Sequence, residues 1–414
     1  MTVSVAISSL LRVAFVVIAG RLLGPEQYAE FYAAVSIIFL LGTGLAPVGS
    51  SIARFTSLYV ARGEMGKVAS LRKTFPKRVF FGSLVLAGLG ATLAVPLKIL
   101  LGFESVATLH LVFAALVFTL LLSSPRGFMR GVQDFSGLGW NMVLEGILRL
   151  GVGLPLMHWV VSTSSGLGAY IFGAGAACLI GNFQISSIAS DEDPVPADHA
   201  AVGRMMGPLF IFALVGAAYQ NVDMLFVKRY FQPAEAGIYA AGSSLAKTVA
   251  LAFLPFSIAL LPMFTELYAR GESLLKKLLL AATSFLFLAG AILAMLFFWG
   301  NSVLVMVYGP DYVEAERFLV PLGGGLALFF LSTMIGQAML SKQSYGFLFP
   351  FSIGLLFQLA LFWHYRTSIE ALPWTVVAAQ SALLSTLLVL LLLSEKGTRP
   401  QHIAEATSFT QKTI

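Results

Sequence analysis

Four cations lie where a bilayer interior would forbid them. Arg12, Arg54, Arg149 and Lys247 fall inside long apolar stretches of a 414-residue chain. A Lys or Arg at mid-bilayer costs about 2.5–3.5 kcal/mol on insertion scales, so each needs a compensating role. Arg12, Arg149 and Lys247 sit near the middle of their stretches. Arg54 lies about one turn from a helix end, within snorkelling reach of the headgroups. The one acid at comparable depth is Glu145, spaced i, i+4 from Arg149, so the two share a helical face and can pair. Arg12 and Lys247 have no local partner in the sequence. The surplus of positive charge favours an anionic ligand, for which a diphosphate is one natural match. Organic cations would instead call for unpaired carboxylates and aromatic walls.

Two more acids are placed to act. Asp223, in the run Gln220-Asn221-Val222-Asp223, has three readings: a gate, a ligand for a coupling ion, or the partner of Lys228. Glu30, beside Arg21, reads first as a helix-start residue. With Glu145 and Asp223 it completes the candidates for coupling or gating, while Arg12, Arg149, Lys247 and Arg54 are the candidates for holding substrate.

The elements that must carry these residues are membrane helices. Charged residues make up 11% of the chain, against roughly a quarter in soluble domains. Apolar residues make up 58%, and the mean hydropathy is +0.86. These values exclude a soluble enzyme, a disordered chain and a nucleic-acid-binding module. A single cysteine, Cys178, excludes an intrachain disulfide and any multi-cysteine metal site. A span needs about 20 apolar residues, and cutting the chain at Gly, Pro and charge clusters predicts twelve. They lie near 3–20, 31–58, 79–97, 107–124, 138–160, 166–189, 205–227, 235–265, 278–299, 316–340, 346–365 and 372–393. Trp140, Trp159, Trp299, Trp363 and Trp374 all fall at span ends, the headgroup level that amphipathic rings prefer.

Of the 26 Lys and Arg residues, sixteen fall on one side if both termini are cytoplasmic, against six on the other. The positive-inside rule therefore predicts cytoplasmic termini. The N-terminus lacks the basic region and cleavage site of a signal peptide.

The chain also contains itself twice. Tyr32-Ala33-Ala34 aligns with Tyr239-Ala240-Ala241 at an offset of 207, half the length, and the same offset within one residue sets Pro47 against Pro255. Six spans per copy predict a parallel repeat about an axis along the membrane normal. The expected units are an N-terminal six-helix lobe at 1–190, a cytoplasmic linker at 191–204, a C-terminal six-helix lobe at 205–393 and a cytoplasmic tail at 394–414. Pro47, Pro255 and Pro262 predict bends in spans two and eight. Connections are too short for a soluble catalytic domain, no Walker A loop is present, and the five histidines are scattered. No enzymatic activity, cofactor or metal is expected.

Three segments resemble bacterial polysaccharide flippases of the multidrug/oligosaccharidyl-lipid/polysaccharide (MOP) exporter superfamily. RLLGPEQYAEFY at 21–32 is similar to the first-loop signature R-x-L-G-x-x-x-[FY]-G-x-[FY], with Ala29 where glycine is usual. PRGFMRGVQDF at 125–135 resembles the loop between spans four and five. NVDMLFV at 221–227, followed by AGIYAAGSSLA at 236–246, resembles the second-half signature. The resemblance implies an all-α polytopic membrane protein with two pseudo-symmetric six-helix lobes (MOP/MATE-like) around a central cavity. It implies flipping of undecaprenyl-diphosphate-linked oligosaccharide, as in O-antigen synthesis, to the outer leaflet of the bacterial inner membrane by alternating access. Basic residues such as Arg12, Arg149 and Lys247 would hold the diphosphate and sugar. Implied partners are that lipid-linked oligosaccharide, a coupling ion (H+ or Na+), membrane lipids and polysaccharide polymerases, with no nucleic acid. A MATE-type multidrug or cation antiporter and a membrane-embedded glycosyltransferase stay open as alternatives.

Overall fold

The computed structural model describes residues 2–397 except 187, 189–191, 197, 198, 271 and 343. Arg399, Lys412 and most of the expected tail at 394–414 lie outside the described residues, as do parts of the expected linker. Twelve α-helices follow in order: α1 (Thr2–Ala61), α2 (Met65–Leu101), α3 (Val106–Gly131), α4 (Phe135–Trp159), α5 (Thr163–Gln184), α6 (His199–Tyr230), α7 (Pro233–Ala246), α8 (Val249–Ala269), α9 (Leu274–Val307), α10 (Glu316–Ser341), α11 (Leu348–His364) and α12 (Ala371–Gly397). A 3-10 turn, Pro310–Ala315, joins α9 to α10. No strand occurs among the described residues.

The helices match the expected spans in place but not one for one. Spans one and two form a single rod, α1, interrupted only at Gly24, whose φ of 71° and ψ of 168° are open to glycine and strained for other residues. Pro25 then opens the second limb, where a missing N–H is no loss. Span eight is instead divided into α7 and α8 by a tightened turn at Lys247-Thr248. There Thr248 N–H donates to Leu245 O (3.0 Å) and Ala250 N–H to Lys247 O (2.9 Å), the closer spacing of a 3-10 turn. The helix continues through Pro47 and through positions 255 and 262, and the two interruptions fall at Gly24 and at Lys247-Thr248. Nine described segments are long and apolar enough to cross a membrane on their own terms. The tally of twelve is reached because α1 holds two spans, α4 is made less apolar by Glu145 and Arg149, and α11 is short.

Three buried clusters show how the bundle is joined. One unites both halves of the chain: Phe15, Tyr28 and Leu116 from the first half pack with Tyr239, Tyr308 and Phe318 from the second. It surrounds Gly24 and the connections that lie at the same end of the bundle. At the opposite end the halves have separate cores, one around Ile52, Phe75 and Phe128 and the other around Phe264, Phe285 and Phe347. The chain is thus closed at the Gly24 end and divided at the other. Outside, Phe80 and Phe81 on α2 and Phe287, Phe297 and Phe298 on α9 are exposed, as are all five tryptophans. An apolar belt of this extent suits lipid rather than water.

Candidate functional site

Two cavities adjoin, the first lined wholly by residues of the first half of the chain and the second by residues of both halves. The first, about 310 Å³, is lined by Arg12 from α1, Arg126 and Arg130 from α3, Glu145 and Arg149 from α4, and Tyr170 from α5. Four arginines thus face one carboxylate. Glu145 is the hub: Arg126 Nη2 donates to its Oε2 at 2.8 Å, and Arg149 Nη2 donates to its Oε1. Arg126 is held further by Asn141, whose Oδ1 accepts from Nε at 2.9 Å and whose amide is anchored on Ala177 O at 2.8 Å. Arg149 lies 4.1 Å over the Tyr170 ring, and its Nε is buried without an acceptor among the described residues.

The second cavity, about 250 Å³, lies between the halves and shares Arg12 and Phe39 with the first. Ser9 and Tyr32 on α1 face Gln220 and Asn221 on α6 and Lys247 at the α7–α8 turn. Lys247 Nζ donates to Asn221 Oδ1 at 3.2 Å and sits 5.1 Å from the Tyr32 ring centre, and it makes no ion pair among the described residues. The tightened turn is what delivers this ammonium to the cavity wall.

Of the residues selected from sequence, Arg12, Glu145, Arg149 and Lys247 are therefore brought together. Arg54 is exposed on α1, apart from the lining of both cavities. Asp223 is buried: Tyr239 OH donates to its Oδ2 at 3.0 Å and Ser243 Oγ at 3.4 Å, while Oδ1 has no partner among the described residues. Lys228 turns instead to Glu30, so of the three readings of Asp223 its pairing with Lys228 is ruled out. Sequence reasoning assigned Arg126 and Arg130 to a loop. The signal that would have found them is their own i, i+4 spacing, which α3 carries about two turns beyond the apolar stretch.

Glu30 belongs to the closed end. Its carboxylate accepts from Lys228 Nζ (3.1 Å), Thr108 Oγ1 (3.2 Å) and the Glu104 N–H (3.2 Å), linking α1 and α3 to α6. Beside it, Tyr312 OH donates to Gly20 O at 2.7 Å, Arg21 Nη1 donates to Met306 O at 3.1 Å, and Tyr28 meets Tyr308 and Ser244. Breaking one partner of a buried pair costs about 3–5 kcal/mol. Glu30→Gln is therefore expected to loosen this seal. In a Cys178→Ala background, a cysteine at the buried position Ala240 should react at least ~10-fold faster with an impermeant maleimide added on that side. Unchanged labelling would show that the pair does not hold the halves together.

The family model for polysaccharide biosynthesis proteins matches residues 1–268. Among solved structures, the chain is similar to the lipid II flippase MurJ in an inward closed conformation, at 16% identity and a TM-score of 0.68, over 95% of this chain and 87% of that one. It is similar to an inward-facing multidrug resistance MATE family transporter of the MOP superfamily, at 15% identity and a TM-score of 0.67, over 94% and 96%. A MATE transporter from Vibrio cholerae follows at 15% identity and a TM-score of 0.66, over 96% and 99%. No curated protein matches the chain. The helices and these likenesses describe a multi-pass membrane transporter fold.

Proposed function

We propose, from the premise that this chain belongs to the polysaccharide biosynthesis protein family of the MOP superfamily, that it flips an undecaprenyl-diphosphate-linked oligosaccharide to the outer leaflet of the bacterial inner membrane. The observation that carries the reading is the first cavity, in which four arginines face a single carboxylate. A diphosphate offers several anionic oxygens, any two of which on one phosphorus form an edge that a planar guanidinium fork can meet with two parallel hydrogen bonds, and desolvation strengthens each contact. The second cavity, with Gln220, Asn221, Ser9 and Tyr32 on its wall, supplies the amides and hydroxyls that a sugar needs.

Alternating access would rock a lobe at 1–190 against one at 205–393, with both termini cytoplasmic and the Gly24 end facing outward. The single shared core at that end supports this cytoplasm-facing assignment. Asp223, with one oxygen held and one open, is the best placed group for a coupling ion.

The experiment is a strain deleted for the gene. Diphosphate-linked oligosaccharide is expected to accumulate on the cytoplasmic leaflet while surface polymer disappears, and Arg149→Ala or Lys247→Ala should fail to restore it at normal protein levels. Normal glycan with lost tolerance to cationic drugs would move the chain to the antiporter reading.

A further inference from the structure

We infer that Glu145 is a built-in counter-anion: in the empty transporter it occupies the arginines that hold the ligand's phosphates, and it competes with the ligand for them. The inference rests on reading the first cavity as a diphosphate site.

The geometry separates the two arginines it engages. Arg126 is a fixed post, because its Nε is tied to Asn141 Oδ1 and Asn141 is tied in turn to Ala177 O and Gln184 Oε1. Arg149 has no such second anchor. Its contacts are Glu145 at one end and the face of Tyr170, across which a planar guanidinium can slide with little loss, and its buried Nε has no acceptor among the described residues. A buried donor without a partner is costly and marks a place for an acceptor that is not part of the chain. The two oxygens of a carboxylate present to two arginines nearly the same edge as two oxygens of a phosphate. Glu145 therefore preorganises the forks in the spacing a phosphate needs, and each contact must be exchanged when the ligand enters.

The consequence is kinetic as well as thermodynamic. With four arginines and no internal anion, the cavity would hold a diphosphate tightly and release it slowly. A carboxylate that reclaims two of them supplies part of the driving force for departure. A group that binds ground state and exit state alike would change affinity alone, whereas an internal competitor trades affinity for turnover.

The test uses the full-length chain in proteoliposomes, with inorganic pyrophosphate as the binding probe and undecaprenyl-diphosphate N-acetylglucosamine as the transported lipid. Glu145→Gln is expected to bind pyrophosphate about 10-fold more tightly than the wild type and to flip the lipid at least about 5-fold more slowly at saturation. Glu145→Asp, whose carboxylate is withdrawn by one methylene, should fall between the two in both measurements. That graded order keeps the inference testable if the Gln variant does not fold. Weaker or unchanged pyrophosphate binding in both folded variants would overturn the inference and leave the site reading standing. Absence of pyrophosphate binding to the wild type itself would remove the site reading, and the inference with it.

Discussion

Replacing Arg126 by alanine is expected to abolish transport while leaving the protein in the membrane at near-normal level. The residue joins three things at once: the cavity wall, the Glu145 carboxylate and the Asn141 anchor. If Arg126 pairs with a ligand phosphate in the cavity, truncating that partner costs about 2–5 kcal/mol of binding, which is a ~30- to ~5,000-fold loss of affinity, while Arg149 still neutralises Glu145 in the variant. Alanine also leaves Asn141 Oδ1 without its donor and removes one of the four cavity cations. Arg126→Lys keeps the charge but loses the fork, so an intermediate loss of about 10-fold is expected, in line with the difference between a point charge and a bidentate donor. Surface polysaccharide and lipid-linked intermediate would be measured in the same cells. Wild-type polymer from the alanine variant would remove Arg126, and with it the cavity, from the mechanism.

The second large effect is steric. Gly237, in α7, lies against the backbone of Pro25 where the two limbs of α1 meet: a Cβ at that position would come within 1.9 Å of the Pro25 carbonyl oxygen and 2.4 Å of its carbonyl carbon. Neither atom is the flexible end of a side chain, and Pro25 is fixed by its ring and by the unusual backbone of Gly24. Gly237→Ala must therefore push the halves apart at the closed end, at about 3 kcal/mol or more. A fall of several degrees in the melting temperature of the purified protein, with loss of transport, is the expected result. Gly290→Ala on α9, where a Cβ meets nothing within 4 Å, is the control and should melt like the wild type. Equal melting temperatures for the two variants would refute the close approach.

How much of this was legible in the sequence depended on the range of the interaction. The membrane class and the all-α character follow from hydropathy, which is a property of local composition. The Glu145–Arg149 pair was legible because four residues of helix place both on one face. Arg126 was not, because hydropathy scores the cost of a side chain facing lipid and knows nothing of a carboxylate waiting on the next helix. The same cause hid the continuation of α3 to Gly131. Lys228 was even less accessible: Asp223 stands five residues away, yet the true partner is Glu30, far back in the chain. The break at Lys247-Thr248 left no proline or glycine to announce it, since the tightened turn is set by hydrogen bonds rather than by residue type.

The Glu30–Lys228 pair also bears on how the protein is made. Lys228 is synthesised roughly 200 residues after Glu30, a delay of about 10–40 s at ordinary translation rates. Throughout that interval the carboxylate stands on a half-finished bundle whose tyrosine face has nothing to pack against. The first half owns one core outright but only part of the shared one. A chain released early would therefore expose both an unneutralised acid and an unburied aromatic surface, features that membrane quality control can recognise. Synthesis of α6 neutralises the acid first, and Tyr239, Tyr308 and Phe318 cover the aromatic surface only as later helices are made, so the pair marks the start of docking between the halves and the shared core its completion.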